Sequence, residues 1–247
     1  MGLILQILAA ILVAIGLAIV VVKYLPLKLR WIASLLLLVI TILLVSKIYN
    51  GIMEPIHFNE EKVKRYTKVV EKLKIIRKAE VRHYQVTGKY SKDKAGLIQF
   101  IDSAELALTE IRDTVIQVNK GSRWQPLMVA VEKRIKDTIG YEPVLKYFKD
   151  LDYKTMFQVP GIEGKEFELE IGTVEKVQGL VVPTFEAKTD KKSILEGLNP
   201  SLIKLELEAN ATDQIKGEFI SVGSLNEVTS GGNWPPSYDK KSDKEDN

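Results

Sequence analysis

LILQILAAILVAIGLAIVVV, residues 3–22, and WIASLLLLVITILLVS, residues 31–46, occupy most of the first fifty positions without one charged side chain. Each run is long enough to cross a hydrocarbon core as a helix. Between them Lys23-Tyr24-Leu25-Pro26-Leu27-Lys28-Leu29-Arg30 supplies three cations and a proline, the chemistry of a basic turn. The pattern predicts a transmembrane helical hairpin over residues 1–49 with both ends on one side. A cleaved signal peptide is the rival reading of the first run. Met1-Gly2 offers no basic region for it, and Val22-Lys23-Tyr24 is not a small-residue cleavage site.

Charge bias sets an expected orientation. Lys23, Lys28 and Arg30 lie at the membrane surface with no acid nearby, which places the short loop in the cytoplasm and the rest of the chain outside. Lys62, Lys64, Arg65 and Lys68 pull the other way, toward a cytoplasmic domain, but they start farther along and share their segment with Glu60, Glu61 and Glu71. The expected location is therefore a bacterial inner membrane with a periplasmic soluble part, and a cytoplasmic part is the alternative.

The chain has 247 residues and a net charge of +3. That excess comes from the first fifty residues, which hold Lys23, Lys28, Arg30 and Lys47 and no acid, so the remainder is near neutral. A near-neutral domain is not expected to bind nucleic acid. The absence of cysteine excludes disulfides, thiol nucleophiles and thiolate metal sites.

Gly51, Pro55 and Asn59 punctuate residues 50–59, which reads as a linker. Asn59 before Glu60 and Glu61 then resembles a helix cap with acids in the first turn. Val63, Tyr66, Val70, Leu73 and Ile76 recur at spacings of three and four, predicting one long helix to the middle eighties. Its other face is basic. Lys64, Lys68, Lys72 and Arg82, with the late aromatic Trp234, form the candidate interaction surface, facing either solvent or an acidic partner or anionic headgroups. Self-association along the helix has a strict seam of only about two heptads, so a homo-oligomer is compatible with the sequence without being dictated by it.

Residues Ile76 to Ser91, with Gly88-Lys89-Tyr90 at their end, and then Leu97-Ile98-Gln99-Phe100-Ile101, resemble the helix-to-domain junction of type IV pilins and type II secretion pseudopilins. In physical terms Gly88 ends the helix in a left-handed conformation, Tyr90 folds back over Tyr84, and a second helix starts near Leu97. The resemblance implies an anchored helix carrying a small α+β domain outside the inner membrane, in a pilus-like or secretion assembly. A prepilin peptidase site is lacking: Gly16 precedes Leu17, and neither apolar run holds an acid. The chain is also similar to bacterial envelope proteins with a Glu-Pro-Ile-x-Phe-Asn segment after the membrane helix, here Glu54 to Asn59, which implies a periplasmic domain.

Farther on, Leu106, Leu108 and Ile111 continue a helical spacing, and Thr114 to Val118 is a short β-branched run. Residues 122–150 carry no clear period. Phe167, Leu169 and Ile171 alternate with Glu166, Glu168 and Glu170, and Thr173–Val177, Leu180–Ala187, Leu205–Ala209 and Phe219–Val222 read as further strands. The fold class is α+β, with an antiparallel sheet in a domain over residues 60–233.

No phosphate loop, nucleophile elbow or zinc-protease helix occurs. His57 and His83 have no companion nucleophile, and an enzyme is not expected. Glu166, Glu168, Glu170, Glu206 and Glu208 would meet on a cation only if their strands were neighbours, and solvated strand faces explain them as well. Accordingly no cofactor or metal is expected. An apolar cavity lined by Phe167, Leu169, Val181 and Phe185 would instead mark a tethered lipid or small-ligand module. Asp102-Ser103-Ala104, Asp113-Thr114-Val115 and Asp137-Thr138-Ile139 resemble bacterial O-glycan acceptors, with two of the three expected to be buried. Residues 234–247 read as a disordered polar tail that Trp234 pins to the domain or to a partner. The expected partners are the bilayer and other envelope proteins, for a structural or interaction role.

Overall fold

The computed structural model describes residues 26–121, 124–177 and 179–239, with isolated positions at 12, 15, 16, 18, 19 and 23. Most of the first apolar run lies outside the described residues, and so does the tail from 240 onward. The chain divides into two compact units, one ending at Asn59 and one starting at Glu60.

In the first unit the second apolar run is helical. It belongs to α1, Leu27–Thr87, a helix of 61 residues. From Arg30 this helix carries an 18-residue window with a mean hydropathy of 2.4, none of it buried within the chain. One long apolar helix near the N-terminus is thus present, and length and composition suit it to a membrane. The paired helix of the expected hairpin falls outside the described residues.

The expected linker at residues 50–59 is helical, and Asn59 is no cap. Pro55 sits inside α1. A proline within a helix removes one hydrogen bond and crowds the carbonyl four residues back. Here that carbonyl belongs to Gly51, the residue type with the most freedom to adjust its backbone. Around it Ile48, Tyr49, Ile52 and Ile56 keep a helical spacing. Two breakers in register with one another thus read as punctuation without acting as such.

In the second unit the helix buries Tyr66, Val69, Val70, Leu73, Ile76 and Ala79 along one stripe, while Val63 is exposed. Each large side chain so buried contributes about 1.5–3 kcal/mol, which makes α1 the spine of the core. Gly88 ends the helix at φ +73°, with its N–H donating to Tyr84 O at 2.8 Å. Tyr90 folds back and stacks on Tyr84, ring centroids 4.8 Å apart, and also meets Phe185 at 4.7 Å. Asp93 then caps α2, Lys94–Ser103, by accepting from the Ala95 N–H, and α2 buries Leu97 and Ile101.

The region read as helical up to Ile111 is instead strand. β1, Glu105–Asn119, pairs antiparallel with β2, Met128–Pro143, in a two-stranded ribbon. Leu106, Leu108 and Ile111 satisfy a helical spacing only by coincidence. Extended pairing over fifteen residues overrides it, and β2 lies in the stretch that showed no period. A 3-10 turn, Val144–Phe148, returns the chain to the core by burying Val144 and Phe148.

The main sheet has the order β3–β4–β5, built from β3 (Glu168–Val177), β4 (Leu180–Asp190) and β5 (Phe219–Gly223), all antiparallel. Leu169, Ala187 and Val222 align in one buried row across it. After the four-residue helix α3, Lys191–Ile194, comes α4, Pro200–Leu207. The alternation of Leu205, Leu207 and Ala209 with Glu206 and Glu208 had suggested a strand. Asn199 decides otherwise: its side chain accepts from the Ser201 and Leu202 N–H groups, and Pro200 holds the first helical position.

Candidate functional site

Several cations on the polar side of α1 are held by oxygens of segments distant in sequence. Lys72 Nζ donates to Asp152 Oδ2 at 2.7 Å and to Thr155 Oγ1 at 2.6 Å. The hydrogen bonds from Lys72 and Thr155 hold the Asp152 carboxyl below the ordinary aspartate range. Arg65 donates to the carbonyls of Ile194 and Glu196, and Lys74 to Tyr238 O at 3.0 Å. The long stems of such side chains cover apolar surface while their heads reach loop oxygens.

The predicted interaction residues therefore separate. Lys72 is tied as above. Arg82 lies over the Tyr147 ring at 4.1 Å from its centroid and donates to Gln85. Trp234, 7% exposed, is buried in its own domain with Nε1 donating to Asp239 Oδ1 at 3.2 Å. Residues 234–239, expected in the tail, are packed on the domain, where the indole docks and Lys74 pairs with Asp239 at 3.0 Å. Only Lys64 and Lys68 stay at the surface, on a cleft of about 590 Å³ that also carries Arg65, Glu61, Glu163 and Glu196. Three bases face three acids, so this cleft has no charge preference for an anion.

A separate ionic group is buried in the domain. Lys62 Nζ donates to Glu206 Oε2 at 2.9 Å, and Lys191 lies 3.6 Å from Glu206 Oε1 while donating to the carbonyls of Glu206 and Ile215. Burial drives the Tyr66 phenol far above its ordinary value, with the neighbouring Glu206 adding to the shift. Sequence reasoning missed this group, since alternation had assigned Glu206 to a solvated strand face. It closes the fold and offers no open position for a substrate.

The acidic strand residues gather on lysines, not around an open cation position. Lys188 Nζ lies 3.2, 3.7 and 3.9 Å from Glu170, Glu186 and Glu168, and Lys94 pairs with Glu166 at 2.7 Å. Among the described residues no group of His, Cys, Asp and Glu side chains is placed to hold a metal ion. His83 Nδ1 contacts Lys89 O at 2.7 Å and the ring meets Phe100 edge-on, a role in the helix-end turn. His57 lies on α1 within the first unit. Phe167, Leu169 and Phe185 are core residues whereas Val181 is 58% exposed, so the four do not line one cavity. Of the Asp-Ser/Thr triplets, Ser103 and Thr138 are exposed and Thr114 is half-buried, against the expectation that two are hidden.

Glu80 stands apart. It is fully buried, accepts one hydrogen bond from the Ser91 N–H at 3.1 Å, and leaves Oε1 without a partner. Burial pushes its carboxyl up to about 7, against that one hydrogen bond.

An uncovered feature of the second unit is the β1–β2 ribbon. Among the described residues neither strand pairs with a third. Apolar side chains stand bare along it and at its tip: Ile111 is 60% exposed, Val115 63% and Trp124 91%. A two-stranded ribbon is marginal in water on its own, and exposed edges invite pairing. Comparison with known protein families, curated proteins and solved structures finds no match.

Proposed function

We propose that this chain is a membrane-anchored component of the bacterial envelope that acts by binding other proteins. The apolar part of α1 holds it in the inner membrane, and the domain from Glu60 onward works on the periplasmic side, in a pilus-like or secretion assembly. One observation carries the reading: an uncovered apolar helix and an uncovered β ribbon occur in the same chain as a well-packed core. Apolar surface of that kind on a folded protein marks a lipid or protein contact. Binding, not catalysis, is the proposed mode of action, and the charged groups of the domain serve its own packing.

Reporter fusions at Lys28 and Asn247 test the placement. The expected outcome is a cytoplasmic Lys28 and a periplasmic Asn247. A chain that remains soluble after membranes are pelleted, or an Asn247 fusion active only in the cytoplasm, overturns it.

A further inference from the structure

We infer that the turn end of the β1–β2 ribbon inserts into the headgroup region of an anionic lipid bilayer. This goes beyond the function proposed above, which gives the domain from Glu60 onward no lipid contact.

Polarity changes along the ribbon, not across it. Residues opposite one another on paired strands share a face. Near the turn one face carries Ile116 opposite Val131 and Val118 opposite Val129, and the other carries Ala130 and Met128 opposite the uncharged Gln117 and Asn119. Farther back both faces are charged. Arg112 pairs with Asp137 at 2.7 Å on the first face, and Arg134 with Asp113 at 3.0 Å on the second. A ribbon that packs flat on another element needs one apolar and one polar face. An end without charge on either face, backed by charge on both, is built for end-on entry into a membrane.

Charge and side-chain type agree with that occupant. Between Asp113 and Glu132 the sequence has two cations and no acid, and anionic headgroups attract such a segment. Trp124 is 91% exposed, Leu127 61% and Met128 56%. An indole pairs an apolar ring with an N–H that headgroups can accept from, which is why it favours membrane interfaces. Hydrogen bonds within the turn pin it: Asn119 Oδ1 accepts from the N–H groups of Gly121 at 2.9 Å and Leu127 at 3.0 Å, and the Lys120 N–H donates to Leu127 O at 2.9 Å. The outer edges limit the depth. Among the described residues neither strand pairs with a third, and backbone groups without partners do not enter hydrocarbon. The end therefore stops at the interface.

Depth-dependent quenching in the full-length chain, held one copy to a lipid disc, tests this. The chain has no cysteine, so an introduced thiol is unique. A water-sensitive fluorophore is attached at Leu127→Cys, or at Met128→Cys should the first fold poorly. A control carries it at Lys136→Cys, about 26 Å back along β2 from Met128. Phosphatidylglycerol with a spin label on its acyl chain is placed in the disc in one arm and in added vesicles in the other. Quenching of the turn fluorophore in either arm is expected, with the control unquenched. It should be lost in Trp124→Ser, in a chain whose unfolding is unchanged, and should weaken when phosphatidylcholine replaces phosphatidylglycerol. Absence of quenching in both arms overturns the inference. Equal quenching at Lys136→Cys, the sign of a ribbon lying flat, overturns end-on entry, and equal quenching with the neutral lipid overturns the part given to headgroup charge. A turn fluorophore shielded from iodide yet never quenched by lipid is covered by protein, and that too overturns the inference.

Discussion

Glu80 sets how the domain responds to pH. Its folded-state carboxyl titrates at about 7, above an ordinary value of 4.5, because it is buried with one oxygen unpaired. Between those two values the folded chain holds a proton that the unfolded chain has released. Stability therefore falls as pH rises from 4.5 to 7, and the cost is complete above 7. A shift of this size corresponds to about 3 kcal/mol. Glu80→Gln keeps the shape without the charge, so denaturant unfolding of the variant should show that slope removed and a gain of about 2–3 kcal/mol at pH 8. An unchanged pH profile would show that Glu80 is not the titrating group. Gly223 gives the opposite case. It sits at φ +77°, and a β-carbon there would lie 2.2 Å from Phe185 O. Gly223→Ala is expected to cost about 2–4 kcal/mol, read as a lowered Tm.

Single elements show what a local pattern carries. The end of α1 was legible because two local signals agree there, Gly88 for the left-handed turn and Tyr84 with Tyr90 for the fold-back, whereas the Asp93 cap of the next helix was not read. β3, β4 and β5 were legible because alternation matches a sheet with one buried face. Alternation misled at Leu205–Ala209, where the Asn199 cap and the distant cations Lys62 and Lys191 turn Glu206 inward. The ribbon was legible only at Thr114–Val118, the β-branched end of β1, since its strands bury no continuous face and so show no clean period. Nor did the basic face of α1 reveal that Lys72 and Arg82 are spent on Asp152 and Tyr147. An element that borrows nothing from the core should also return little to it. Replacing Trp124 by Ser is expected to leave unfolding within about 0.5 kcal/mol of the parent, and a larger loss would place the tip in the core after all.

At the scale of the molecule, the core is closed by contacts far apart in sequence. Lys62 meets Glu206, and Lys74 meets Tyr238 and Asp239. Trp234 belongs to the same closure, with its ring over Gly232, where an added β-carbon would strike it at 2.4 Å. Ending the chain after Asn233 removes the indole and takes Tyr238 and Asp239 from Lys74. The loss is expected to be about 3–5 kcal/mol, the range for deleting a large buried aromatic, with a Tm lowered accordingly. A truncated chain as stable as the full one would show that the closure is only decorative.

These closing contacts also order events during synthesis. The apolar stripe of α1 from Tyr66 to Ala79 leaves the ribosome early, while the residues that lock the domain around it arrive some 140 to 165 positions later. Until then a nascent chain displays a greasy helix with no lid, and loop closure of that span is slow compared with local folding. That stripe therefore stays without its closing partners for more than half of translation.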